Sequence, residues 1–173
     1  MGIIGLIATF TIPSVIKNID EAQNNAKAKE TISILSELTA EAMMSGVNRG
    51  VDFPNFVASK LNTERVCLTA APTDGCLGHI LDGYSLSYIQ LHNGVMIYFG
   101  SYFETFGSWL VIDVNGANKP PNLEGEDILY LCYNVSEADK TRYDWGLIKR
   151  GTIVPCANHT TSVAKYNALF SNG

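Results

Sequence analysis

Residues 1–20, MGIIGLIATFTIPSVIKNID, decide how the rest of the chain is read. From Gly2 to Ile16 there is no charge, and Pro13 stands inside the run. Lys17 then opens a stretch of polar helix formers. A soluble core helix usually shows a polar stripe, whereas this segment is apolar all round. A cleaved secretory signal wants a basic start and a small-x-small cleavage site. No Lys or Arg precedes Lys17, and LIATFT (6–11) is a poor cleavage site. A bilayer-spanning helix needs about 20 apolar residues, so the run from Gly2 to Ile16 is short by itself. Proline inside a helix removes one backbone hydrogen bond and clashes with the preceding turn, at about 3 kcal/mol in water. In a membrane, neighbouring helices compensate, and the hydroxyls of Thr9 and Thr11 can satisfy the freed groups.

Beyond Pro13 the helical period continues. Ile12, Ile16, Ile19, Ala22 and Ala26 fall three and four apart, and Ile32, Leu35, Leu38 and Ala42 resume the stripe. Ser45-Gly46 supplies the stop, because glycine takes the left-handed conformation that ends helices. One helix of about 40 residues follows, about 60 Å long at 1.5 Å per residue. A domain of this size cannot bury that length. The first part must bury itself in lipid or in other copies of the chain.

The stretch GIIGLIATFTIPSVIKNIDEAQNNAKAKETISILSEL (2–38) resembles the N-terminal helix of type IV pilins and type II secretion pseudopilins. The likeness lies in GIIGLIA, then TIPS, then the continuation rich in Asn, Lys, Gln and Ala, and it covers about the first quarter of the chain. In that family Gly or Ala followed by Phe-Thr-Leu-x-Glu is cut by a prepilin peptidase. This motif would lie just upstream of Gly2 and is not in the sequence, nor is its acidic residue. The resemblance therefore implies that about ten apolar residues precede this stretch in the whole protein, bringing the apolar run to about 25, enough to span a bilayer.

The remainder is composed like a folded domain. Of 173 residues 46% are hydrophobic and 17% charged, with net charge −5. That balance excludes a disordered chain. No cluster of Lys and Arg offers a phosphate-backbone footprint, so no direct nucleic-acid binding is expected. The four cysteines, Cys67, Cys76, Cys132 and Cys156, lack CxxC spacing and suit two disulfides in an oxidising compartment. Turn residues between Cys67 and Cys76 favour a local bridge there, leaving Cys132 with Cys156. Four cysteines allow three connectivities, and spacing does not choose among them.

Residues 46–62 read as a loop and a short helix, with Pro54 suited to the first turn and Asp52 to a cap. YSLSYIQL (84–91) alternates like a strand with one wet face. HNG (92–94) is a hairpin turn, with Asn93-Gly94 suited to positive φ. VMIYFG (95–100), SWLVID (108–113) and DILYLCY (127–133) are three more strands. The expected fold is α+β: a long N-terminal helix packed on a roughly four-stranded antiparallel sheet, as the pilin resemblance also implies, with a loop-rich, disulfide-linked C-terminal region. Residues 1–30 are expected to protrude as a filament and membrane helix, and 31–173 to form the head.

DVNGANKPPNLEGED (113–127) concentrates oxygen ligands. Asp113, Asn115 and Asp127 make it a candidate calcium loop, since Ca2+ takes six to eight oxygens. It fails as an EF-hand: Gly116 is in the fourth position, Ala117 occupies a ligand position, and strands flank it. The alternative is that Asp113 and Asn115 cap turns while Pro120-Pro121 stiffen the loop. Some pseudopilins hold calcium in the corresponding region, so the resemblance adds to the first reading. No other cofactor is expected.

Nothing points to catalysis. His79, His92 and His159 are the only histidines; there is no H-x-x-x-H, nucleophile elbow or phosphate loop. The aromatic residues around the strands suit sheet packing. The function expected is a filament subunit whose helix core is carried by Gly2, Ile3, Ile4, Gly5, Leu6, Ile7, Ala8, Ile12, Pro13, Val15, Ile16 and Ile19. Small Gly2, Gly5 and Ala8 would permit close helix approach. By resemblance the partners are other copies, other (pseudo)pilins, an inner-membrane assembly platform and a prepilin peptidase. The location would be the bacterial inner membrane, then a periplasmic or cell-surface filament. The alternative is a membrane-anchored extracytoplasmic binding or adhesion domain that never polymerises.

Overall fold

A computed structural model describes residues 3–47, 52–68, 80–81, 84–85, 87–100, 108–135 and 148–171. Side chains of the first helix before Ile16, of 80–85 and of Ser108 lie outside this set. Helix α1 (Ile3–Met44) runs unbroken through Pro13. It ends as its sequence suggests. Gly46 takes φ +79°, and Val47 N–H reaches back to Ala42 O at 3.0 Å, satisfying a carbonyl the helix leaves open.

Among the described side chains of α1, it is those of the second half that are buried. Ala28, Thr31, Ile32, Leu35, Leu38, Thr39 and Ala42 form its inner stripe, at the spacing of one helix face. Thr39 is satisfied there by donating to Leu35 O at 2.7 Å. Ala26, expected in the stripe, is exposed, and the buried face starts at Ala28. Residues 16–23 are exposed on every side.

α1 packs on an antiparallel sheet of six strands, not four. β1 (Thr63–Cys67), β4 (Ser87–Leu91), β5 (Met96–Phe99), β6 (Ser108–Asp113), β7 (Ile128–Asn134) and β8 (Thr152–Pro155) lie side by side in that order. The four expected strands are the central meander, β4 to β7. β1 joins outside β4 and β8 outside β7, each as an edge. Exposed Glu64 and Arg65 on β1 hide its strand pattern and suit an edge strand. The stretch 84–91 is not one strand: β2 (Ile80–Leu81) and β3 (Tyr84–Ser85) pair as a separate ribbon, and β4 begins at Ser87. The turn into β5 follows Gly94 at φ +87°, while Asn93 Oδ1 accepts Val95 N–H at 3.1 Å.

Both faces of the sheet are covered, so the one wet face expected for β4 is absent: adjacent Tyr88 and Ile89 are both buried. Ile89, Ile97, Phe99, Leu110, Leu131 and Tyr133 face the layer of α1 and α2 (Phe53–Lys60). Tyr88, Met96, Tyr98, Val111, Tyr130 and Cys132 form a second cluster on the opposite face. In α2 Pro54 sits in the first turn as expected, but Asp52 makes no side-chain cap bond. The C-terminal region is more regular than expected. After β8 comes α3 (Thr160–Phe170), whose Tyr166, Leu169 and Phe170 pack against the main core.

Cys132 of β7 is bonded to Cys156, just beyond β8, with Cα atoms 5.0 Å apart. Cys67 is also disulfide-bonded; its expected partner Cys76 lies outside the described residues.

Candidate functional site

Two features bear on function, and they adjoin. The first is the exposed part of α1. Ile16 and Ile19 are 53% and 51% exposed, although each is a large apolar side chain that burial would stabilise. Ile3, Ile4, Gly5, Leu6, Ile7, Ala8, Ile12, Pro13 and Val15 lie in the same helix, with side chains outside the described residues; Gly2 lies outside altogether. Among the described residues no helix is long and apolar enough to cross a membrane.

The second is the β6–β7 loop, which opens beside the exit of α1. Lys27 on α1 donates to Asn93 O at 2.7 Å, placing the β4–β5 turn against the helix at this end of the sheet. A cleft of about 760 Å3 separates Ile16, Asp20 and Glu21 of α1 from Pro120, Pro121 and Glu126 of the loop, with Lys165 of α3 and Asp127 also on its wall.

The loop folds back on itself through backbone donors. Val114 N–H reaches Asp127 O at 2.9 Å, closing the loop's base. Asp127 accepts the N–H groups of Asn122 and Leu123 at 2.9 and 2.8 Å. Asp113 Oδ1 accepts Gly116 N–H at 2.8 Å. Asn115 Nδ2 donates to Pro120 O and Asn122 Nδ2 to Ala117 O, each at 3.3 Å. The turn-capping roles expected of Asp113 and Asn115 are thus present.

Capping does not use up the oxygens. Asp113 and Asp127 are each 1% exposed, and both Asp113 Oδ2 and Asn115 Oδ1 are buried without a hydrogen-bond partner among the described residues. Leaving such groups unmade costs roughly 1–3 kcal/mol each, more when charged. Burial pushes the Asp113 carboxyl up, and the charge of Asp127 adds to this. N–H bonds from Gly116 and Asn115 offset only part, so it stands at about 6 rather than 3.8. Two orphaned hard oxygens beside a second carboxylate fit an oxygen-seeking cation. No group of three or more His, Cys, Asp or Glu with metal-binding geometry occurs among the described residues, so amide, carbonyl and water oxygens would have to complete the shell.

Glu124 takes a different role from its loop neighbours. It reaches α3, where it accepts Thr161 Oγ1 at 2.7 Å, Ser162 Oγ at 2.9 Å and Ser162 N–H at 3.3 Å. His159 Nδ1 lies 3.1 Å from its other oxygen. The His159 ring lies flat on Tyr130, centroids 3.9 Å apart and planes 5° apart. Neither His159 nor Ser162 stands out in the sequence as a helix-start residue. The available signal was the spacing of Val163, Tyr166 and Phe170 behind the HTTS start.

Comparison with protein-family models, curated proteins and solved structures finds no match to this chain.

Proposed function

We propose that this chain is a structural subunit of an extracytoplasmic helical filament, a pilin or pseudopilin of the type IV pilus or type II secretion kind. The observation that carries this reading is the exposure of Ile16 and Ile19, two large apolar side chains of α1 that the head leaves uncovered. The helix would hold the subunit in the inner membrane until extraction. It would then bury against the same helix of other copies, and such head-to-tail contacts propagate into an open filament. The fully buried Cys132 and its bridge suit a head that works in an oxidising compartment.

The test is the mature N-terminus of the native protein, read by peptide mass spectrometry on the membrane and surface fractions of the source cells. A processed start upstream, a methylated Phe or Met followed by Thr-Leu-x-Glu, is the expected result. A native chain that begins at Met1-Gly2 excludes prepilin processing and leaves the non-polymerising, membrane-anchored binding domain.

Within this reading the β6–β7 loop takes Ca2+. Asp113 Oδ2 and Asn115 Oδ1 would hold the ion, with Asp127 close enough to raise the Asp113 carboxyl. A bound cation would offset the charge of the buried Asp113 and Asp127 carboxylates and hold the loop that borders the helix exit.

A further inference from the structure

β8 covers only half of β7. Their register runs from Leu131 opposite Pro155 to Asn134 opposite Thr152. Among the described residues, the outer edge of β7 at Ile128–Tyr130 therefore has no strand beside it. Its polar groups are met by the segment that follows β8: Cys156 N–H donates to Tyr130 O at 3.1 Å, and Tyr130 N–H donates to Ser162 Oγ at 3.1 Å. We propose that α3 is a detachable cover over this half-edge, and that the Glu124 carboxylate is the latch that holds it closed.

Three observations support a cover that opens separately from the rest of the head. The Cys132–Cys156 bond anchors the chain immediately before α3, so everything after Cys156 can swing away while β8 stays paired. Ser162 is the single fully buried residue of α3; Tyr166, Leu169 and Phe170 are only partly buried against the core. Elements with so little buried apolar surface open at low cost. Finally, α3 has no side-chain cap of its own at His159. Its first-turn donors depend on a carboxylate from another element, placed where the helix dipole favours negative charge.

The latch is sensitive to acid. Burial raises the Glu124 carboxyl, but the bonds from Thr161, His159 and Ser162 outweigh it and hold the group down to about 2, against 4.5 for a free glutamate. A depressed carboxylate stabilises the closed state fully above its free value and loses that contribution as pH falls from about 4.5 toward 2. The other titratable and charged groups around it are His159 and Lys165 on α3, Tyr130 on β7, and Glu126 and Asp127 in its own loop. Across the cleft, α1 presents Lys17, Asp20 and Glu21. His159 is the one ionisable partner bonded to Glu124 among the described residues.

Hydrogen exchange of the full-length protein, read peptide by peptide, tests this. At pH 7, Glu124→Gln is expected to speed exchange across residues 163–170 about tenfold or more, with β5 to β7 unchanged. Thr161→Ala, a milder change, should give a smaller increase in the same peptides. Wild-type protein taken from pH 5 to pH 3, after correction for intrinsic rates, should open α3 selectively, while Glu124→Gln shows no further opening. Loss of protection in α3 and the sheet together, or unchanged α3 protection in Glu124→Gln, overturns the proposal.

Discussion

Gly100 follows β5 at a point where no side chain fits. A Cβ there would overlap the Trp109 ring. Overpacking of this kind costs about 1–3 kcal/mol, so Gly100→Ala should lower the thermal midpoint by several degrees in calorimetry; an unchanged midpoint would show that the ring moves aside freely. Asp113 makes a second prediction at this scale. Its carboxyl is raised, so the favourable neutral form persists below pH 3.8 and is lost as pH rises past about 6. At pH 7.5 the charge is present and a bound cation has something to offset. Saturating Ca2+, at about 100 times its Kd, should add about 2.7 kcal/mol, or roughly 5–10 °C over a chelator-treated sample. Asp113→Asn should abolish that gain. Equal midpoints with and without Ca2+ in the wild type would remove calcium from the loop. The loop's ligand types could be read from the sequence. Which oxygens remain free could not, because that depends on where Asn122, Leu123 and Gly116 aim their N–H groups.

At the scale of elements, the Cys132–Cys156 bridge decides how the last third of the chain is held. It spans 24 residues of separation, a loop for which cross-linking stabilises by about 3 kcal/mol in the chain-entropy account. Replacing both cysteines by alanine should lower the unfolding free energy extrapolated from guanidinium denaturation by about that amount; a change of less than about 0.5 kcal/mol would mean the tail is held by packing alone. The central strands were legible because Val, Ile, Tyr and Leu run together between turn signals at Asn93-Gly94 and Asp113–Gly116. The edges were not. β1 carries Glu64 and Arg65, β8 is four residues ending in Pro155, and α3 lacks a capping box. Edge elements owe their structure to a neighbour already in place, so their own residues say little.

For the whole molecule, the decisive asymmetry is that α1 is buried from Ala28 onward and exposed over 16–23. Removal of residues 1–24 should therefore leave a folded head, with far-UV circular dichroism showing the expected loss of helix and a thermal midpoint within about 2 °C of the full chain. A head that fails to fold without them would place these residues inside its core and count against the filament reading.

The long helix, its stop at Gly46, the central meander and the α+β class are all written in the order of residues along the chain. Each of these is written in local periodicity or in a residue's own backbone preference, and needs no knowledge of distant parts. Folding in three dimensions is what brings six described strands into this sheet, covers both its faces, and gives Glu124 to α3 rather than to the loop it sits in. Those outcomes rest on contacts between residues far apart in sequence, such as Asn134 opposite Thr152, Cys67 opposite Tyr88, and Glu124 with His159. Such pairings are set by which surfaces remain to be buried once the local elements have formed, and no short stretch of sequence records them.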